Sequence, residues 1–281
     1  MQTADSAHIR KAIVYLSKSF RNTPDVDMVA QAAGMSQFSF RRLFTQWAGI
    51  GPECFLRFFA TGHAREILLG PGNIPDAAFH DGFHDPVVDV RAVVSMKPQE
   101  RDGKIVIQYG VHEGPFGSFF LAVMEMGVCA LTFMEKSTVG KEVEKLRGIW
   151  KQATIVEDLA GTKVMADRIF RPRKANAGAS FTAVVKGTDF QVKVWKALVR
   201  IPPGRALSYE GLASQIGAPR ASRAVGSACA RNQVSYLIPC HRVIKKTGAF
   251  GRYGGGDGRK RVLLALEAAQ REAADKAQKT S

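Results

Sequence analysis

The chain has 281 residues, 46% of them apolar, with 40 Lys plus Arg against 25 Asp plus Glu and a net charge of +15. Its length allows one to three domains, and its apolar content is that of a globular protein with a sizeable core. Four cysteines, Cys54, Cys129, Cys229 and Cys240, form no C-x-x-C pair and no zinc-type spacing with histidine, which argues against a structural metal.

The charge is uneven. Residues 181–270 carry 15 Lys plus Arg against 4 Asp plus Glu. Such a segment attracts polyanions, nucleic acid or an anionic membrane, although a merely solvated cationic surface fits the charge too. The first residues, Met1 to Lys11, lack the basic and apolar regions of a signal peptide. The longest apolar stretch, Gly117 to Phe133, contains Glu125 and is short for a membrane span. The expectation is a reduced, cytoplasmic, soluble protein with no membrane partner.

In chain order, residues 1 to about 98 read as helical. Ile9, Ile13 and Leu16 form one apolar helix face, and Asp27 to Ala33 reads as a short helix. Gly34-Met35 makes a turn, and Ser36 N-caps a second helix running to about Trp47. Phe40, Leu43, Phe44 and Trp47 share one side of it, with Gln37, Arg41 and Thr45 on other faces. This fits a helix-turn-helix and an ordinary helical hairpin about equally.

From about 99 to 180 the period changes. Ile105–Tyr109, Ser118–Val123 and Val128–Phe133 read as strands, with a turn at Gly114-Pro115-Phe116-Gly117. Val139, Val143, Leu146, Ile149 and Trp150 mark a helix, and the segment carries no evident chemistry. Cys129 reads as an inert core residue and Arg171 to Gly178 as a surface loop.

Residues 181–281 read as mostly helical. Asp189 caps a helix carrying Phe190, Val194, Trp195 and Leu198. Tyr209–Ile216 and Arg220–Ala230 are helices flanking a turn at Gly217-Ala218-Pro219. The second of these bears Ala224, Gly226, Ser227 and Ala228, with Arg223 as its long cation. So thin a helix suits close approach to DNA or to another helix. A polar helix from about Arg259 closes the chain, with Val262, Leu263 and Leu266 as its buried stripe.

Pro239-Cys240-His241-Arg242-Val243 follows the apolar run Val234–Ile238, read as a stiff strand end, and precedes a glycine-rich segment. A cysteine beside a histidine that can take its proton is a route to a thiolate nucleophile. For the pair alone, a buried cysteine next to a solvated histidine fits better, because neighbours on an extended chain face opposite ways.

The surrounding residues alter that balance. Phe190-Gln191-x-x-Val194-Trp195-x-Ala197-Leu198, Ile201-Pro202-x-Gly204, Ser208-Tyr209, Arg223-Ala224-Val225-Gly226, Asn232, Pro239 to Val243, Gly251-x-Tyr253 and Lys260 to Glu267 occur in order. With them, residues 104–268 resemble the O6-alkylguanine-DNA alkyltransferases, also called methylated-DNA–protein-cysteine methyltransferases. Val29-Ala30-x-x-Ala33-Gly34-Met35-Ser36 and Arg42-Leu43-Phe44 resemble the AraC-type helix-turn-helix. The combination looks like the bacterial Ada family. Two features depart from that family. No four-cysteine zinc cluster precedes the helices, and a second helix-turn-helix at Ile74–Pro98 reads as degenerate, ending in Val87-Val88-Asp89-Val90-Arg91.

The resemblance implies a multidomain α+β protein: an all-α helix-turn-helix domain (1–98), a small ribonuclease H-like α+β subdomain (99–180) and a mostly helical, winged-helix-like catalytic domain (181–281). It implies a single-turnover DNA repair methyltransferase that moves the alkyl group of O6-alkylguanine, or O4-methylthymine, irreversibly to Cys240. The alternative is an Ada-like regulator for which alkylation is the signal, with promoter DNA as a second partner. By the same resemblance His241 is the base, reaching Cys240 through water and polarised by Glu267, and Asn232 holds the active-site turn. Arg223 enters the space left by a flipped nucleotide and Tyr209 rotates it. Ser235 and Val243 line the base pocket, Tyr253 closes it, and Gln37 and Arg41 are the helix-turn-helix DNA contacts. No cofactor and no metal are expected, because the DNA is the alkyl donor, and the family suggests a monomer.

Overall fold

The computed structural model describes residues 3–19, 22–60, 87–93, 105–134, 137–170 and 179–279. Among the described residues it is a mixed α/β structure with ten α-helices, a six-stranded sheet and a two-stranded ribbon. Most of the expected second helix-turn-helix, and the loop expected at 171–178, lie outside the described residues.

Four helices open the chain: α1 (Thr3–Lys18), α2 (Val26–Ala33), α3 (Gln37–Ala48) and α4 (Pro52–Ala60). Asp25 caps α2 by accepting from the Met28 amide at 2.8 Å. Gly34 ends it at φ 70°, a left-handed conformation that favours glycine. Ser36 then caps α3 as expected, accepting from the Ser39 amide. Phe40, Leu43, Phe44 and Trp47 are buried while Gln37, Arg41 and Thr45 are exposed, so the period-3.6 reading of α3 holds.

The large sheet contains β1 (Val87–Ala92), β2 (Val106–Gly114), β3 (Gly117–Met124), β4 (Gly127–Phe133), β5 (Thr154–Glu157) and β6 (Ser180–Val185), in the order β1-β6-β4-β3-β2-β5. β2, β3 and β4 form an antiparallel meander, and the remaining pairings are parallel. Phe119 and Leu121 point into the main core, whereas Phe120 and Ala122 face the helix α5 (Val139–Ile149) through Val143 and Leu146. Between β5 and β6 lies α6 (Leu159–Ile169).

The sheet corrects the expected second helix-turn-helix at its end. Val87–Ala92, read as part of the degenerate helix-turn-helix, is strand β1 and pairs residue for residue with β6. β6 itself straddles the expected boundary at 180/181, so the sheet draws strands from all three expected segments. Val87, Val88 and Val90 are β-branched, and the partner of this segment is supplied about ninety residues later in the chain.

The last hundred residues contain α7 (Asp189–Leu198), β7 (Leu207–Ser208), α8 (Tyr209–Gln215), α9 (Ser222–Ala230), β8 (Val243–Ile244) and α10 (Asp257–Lys279). Thr188, rather than Asp189, caps α7, in a reciprocal capping box with Gln191. The Trp195 indole donates to the Ala228 carbonyl at 3.0 Å and fixes α7 to α9. Among the described residues no helix is long and apolar enough to cross a membrane.

Helix α10 is the seam of the molecule. One side of it carries Lys260 and Glu267 toward the core of the last segment. Its other side takes the N-terminal helices. The Arg261 guanidinium donates to the Phe59 carbonyl at 2.9 Å, the Gln270 amide donates to the Ala48 carbonyl at 2.7 Å, and Arg57 pairs with Glu272. At Gly258 a Cβ would stand 1.7 Å from the Ser17 carbonyl oxygen, so only glycine admits α1 this close.

Candidate active site

The segment before the cysteine is not a strand. Val234 and Ser235 make single bridges, Val234 with Leu131 of β4 and Ser235 with Ile238, and Tyr236 after them has φ 73°. That left-handed conformation is costly for a tyrosine. Tyr236 is retained against Phe170 and Phe116, with ring centroids 4.9 and 5.7 Å away. Pro239 follows, and Cys240–Arg242 form one turn of 3₁₀-helix. The cysteine and histidine are therefore adjacent in a helical turn and do not face opposite ways as on an extended chain. The Pro239 ring and the Tyr236 backbone are what divert the chain from a strand.

Around this turn the expected residues assemble. Cys240 is 8% exposed. The Asn232 side-chain amide donates to the Ile238 carbonyl at 2.8 Å and to Cys240 Sγ at 3.3 Å. Its oxygen accepts from the Val234 amide at 3.0 Å, so all its groups brace the loop. His241 is 1% exposed, with Nε2 at 3.0 Å from Glu267 Oε1. Nδ1 is buried and has no hydrogen-bond partner among the described residues. Since the carboxylate only accepts, Nε2 carries the proton and Nδ1 holds a free lone pair.

The electrostatics follow from this burial. It pushes the Cys240 thiol up, against the Asn232 N–H and the charge of Lys260, which favour the thiolate. It also holds His241 below its usual range, against the pull of Glu267. Burial would raise Glu267, but Arg242 and His241 prevail and hold its carboxyl well below the usual carboxylate range. Arg242 grips both carboxylate oxygens, at 2.9–3.2 Å, and donates to the Ile201 carbonyl at 2.6 Å. Glu267 also accepts from the Gly204 amide at 3.3 Å. The site thus holds a buried thiol, a neutral imidazole with an open nitrogen, and an ionised carboxylate locked by a guanidinium.

Tyr209 begins α8, half-buried beside the turn, where burial and the two cysteines Cys229 and Cys240 push its hydroxyl up to about 12. Tyr253 lies edge-on to His241, centroids 6.3 Å apart, with a buried hydroxyl that has no partner among the described residues. Val243 is fully buried and its carbonyl accepts from Lys260 at 2.6 Å, while Ser235 is half-buried on the loop. Arg223 is exposed on α9, and among the described residues no ion pair engages its guanidinium. Gln37 and Arg41 lie far along the chain on α3. Both are exposed, and Arg41 pairs with Glu53 of α4.

Two contributors were given no role by the sequence reading. Arg242 lies inside the quoted motif, but nothing in a sequence reveals that it clamps Glu267. Lys260 stands seven residues before Glu267, on the same helix face, and that spacing was the available signal.

Residues 189–269 match the DNA-binding domain of 6-O-methylguanine DNA methyltransferase. The chain is 31% identical to the regulatory protein Ada of Salmonella typhimurium over 259 residues, covering 87% of this chain and 70% of that one. It is 29% identical to the bifunctional transcriptional activator/DNA repair enzyme Ada of Escherichia coli, covering 88% and 71%. It is 55% identical over 83 residues to a methylated-DNA–protein-cysteine methyltransferase of Mycobacterium bovis, 30% of this chain and 50% of that one. Among solved structures, O6-methylguanine methyltransferase of Mycobacterium tuberculosis is similar at a TM-score of 0.47 and 33% identity, covering 58% of this chain and 94% of that one.

Proposed function

Since the chain belongs to the Ada-type O6-methylguanine-DNA methyltransferases, we propose that Cys240 is the sulfur that accepts the alkyl group, with His241 and Glu267 as its proton relay. The protein is a DNA repair alkyltransferase with DNA as its partner. The observation that carries the residue assignment is the Asn232–Cys240–His241–Glu267 constellation, in which the sulfur takes an N–H and the imidazole keeps one nitrogen open.

The chemistry follows from that arrangement. The Cys240 proton passes through water to Nδ1 of His241, and Glu267 stabilises the imidazolium through Nε2. The thiolate attacks the alkyl carbon of O6-alkylguanine in line with the C–O6 bond. An S–C bond forms, the C–O6 bond breaks, and its electron pair stays on the guanine, which takes up a proton at N1 from solvent as the His241 imidazolium returns one to it. A thioether has no ready leaving group, so each chain acts once. The alkyl carbon is reached only after the nucleotide leaves the stack, which costs a few kcal/mol and less for a mispaired base. Arg223, exposed on a helix of small residues, fills the gap, and Tyr209 turns the nucleotide. Ser235 and Val243 line the base site and Tyr253 closes it. In this reading the chain works as a monomer in the cytoplasm on double-stranded DNA, and residues 1–60 form a helix-turn-helix unit that adds DNA affinity through Gln37 and Arg41.

A second reading has a specific support, the match to the regulatory protein Ada along 87% of the chain. There the alkylated protein would bind promoter DNA. Binding of the full chain to selected duplexes, before and after alkylation, separates the two. Sequence-independent binding in both states removes the regulator. The repair reading is tested with Cys240→Ala, which is expected to bind an O6-methylguanine duplex and transfer nothing. Retained transfer would move the acceptor elsewhere.

A further inference from the structure

Lys260 is a charged side chain with no solvent exposure. Its Nζ donates to the Val243 carbonyl at 2.6 Å, and Val243 is the residue that closes the Cys240–Arg242 turn. An ammonium in such a place is expensive, and packing alone would be served by methionine or leucine. Burial lowers its pKa to about 8, against the opposite pull of Cys240, Cys229 and Asp257.

The charges around the sulfur explain why a cation is useful there. Cys240 faces Cys229 of α9, Tyr209 of α8 and Tyr253 of the following loop, all of which are harder to ionise beside a thiolate. In its own turn, His241 is held toward neutrality and Arg242 is committed to Glu267 and the Ile201 carbonyl. The charge of Glu267 is in turn met by Arg242, with an N–H from His241 beside it. Lys260, one turn of backbone away through Val243, is the cation whose field reaches the sulfur and favours its charged form.

We propose that Lys260 is a positioning residue for the transfer: its buried ammonium, pinned by the Val243 carbonyl, supplies the positive field that makes the Cys240 thiolate accessible at neutral pH. The inference rests on Cys240 being the acceptor. Alkylation turns the thiolate into a neutral thioether, and Lys260 then keeps its carbonyl but loses its anionic partner.

The test uses the full chain with Lys260→Gln, which keeps a donor for the carbonyl, together with Lys260→Met and Lys260→Arg. Two rates are followed against pH: single-turnover methyl transfer from an O6-methylguanine duplex, and iodoacetamide labelling of Cys240 resolved by peptide mass. Both neutral variants should move the rising limb of each profile up by about one pH unit, slowing reaction at pH 7 roughly tenfold. Duplex affinity should stay within about twofold, because Lys260 is buried away from DNA. Lys260→Arg should keep the wild-type midpoint. A Lys260→Gln profile that rises where the wild type does overturns the proposal, whatever happens to stability. If neither neutral variant folds, a shifted midpoint in Lys260→Arg overturns it. The labelling profile needs no DNA, so a wild type that labels normally but takes no methyl refutes the acceptor reading and leaves the field of Lys260 separately measured.

Discussion

At Cys240, burial and reactivity pull in opposite directions. Desolvation stabilises the thiol, while the Asn232 N–H and Lys260 stabilise the anion. Glu267 supports this from behind. Its depressed pKa means that the folded state binds a proton less readily than the unfolded chain. The sign follows directly: this stabilisation is fully present above the unfolded value of about 4.3 and is lost as pH falls through the folded value. Glu267→Gln removes that acid-sensitive component and leaves Arg242 buried without its counter-charge. The variant should be about 3–5 kcal/mol less stable at pH 7, measured by urea unfolding, and should lose less than the wild type on further acidification. An equal acid response in both proteins would show that the carboxylate is not locked as described.

Among the elements, α9 carries the proposed handling of the flipped nucleotide. Its outer positions are small and Arg223 projects from it. Arg223→Ala should lose much more activity on duplex DNA than on free O6-methylguanine base, since only the duplex must be opened. Equal losses on both would refute the flipping role. The elements were unequally legible in the sequence. The meander β2–β4 could be read from alternation, and the α2–α3 turn from Gly34 and Ser36, because their causes are local. β1, β5 and α6 were missed or misassigned, since Val87–Ala92 becomes a strand only when β6 arrives beside it. The cysteine turn was misread as a strand end for a related reason: the aromatic contacts that hold Tyr236 at positive φ come from Phe116 and Phe170, distant in sequence. The Cys-His-acid set was legible through its motif, whereas its coupling to Arg242 and Lys260 depends on a helix face meeting a turn.

Across the whole molecule, α10 joins two halves that the sequence reading treated as separate. The residues that serve the cysteine and those that hold the N-terminal helices alternate along one rod. Gly258→Ala tests that junction, because its Cβ would meet the Ser17 backbone. It should destabilise the protein by about 1–3 kcal/mol through displacement of α1, read as a lower urea midpoint. An unchanged midpoint would mean that α1 does not dock there. The net charge of +15 suits the proposed affinity for DNA, and the proposed chemistry rests on the sulfur of Cys240. Its direct measurement is peptide mass spectrometry after mixing the protein with an O6-methylguanine duplex. The account predicts one added methyl per chain, on the peptide containing Cys240, with the duplex restored to guanine. An unchanged peptide mass with the lesion intact, or a methyl found on Cys229, would contradict it.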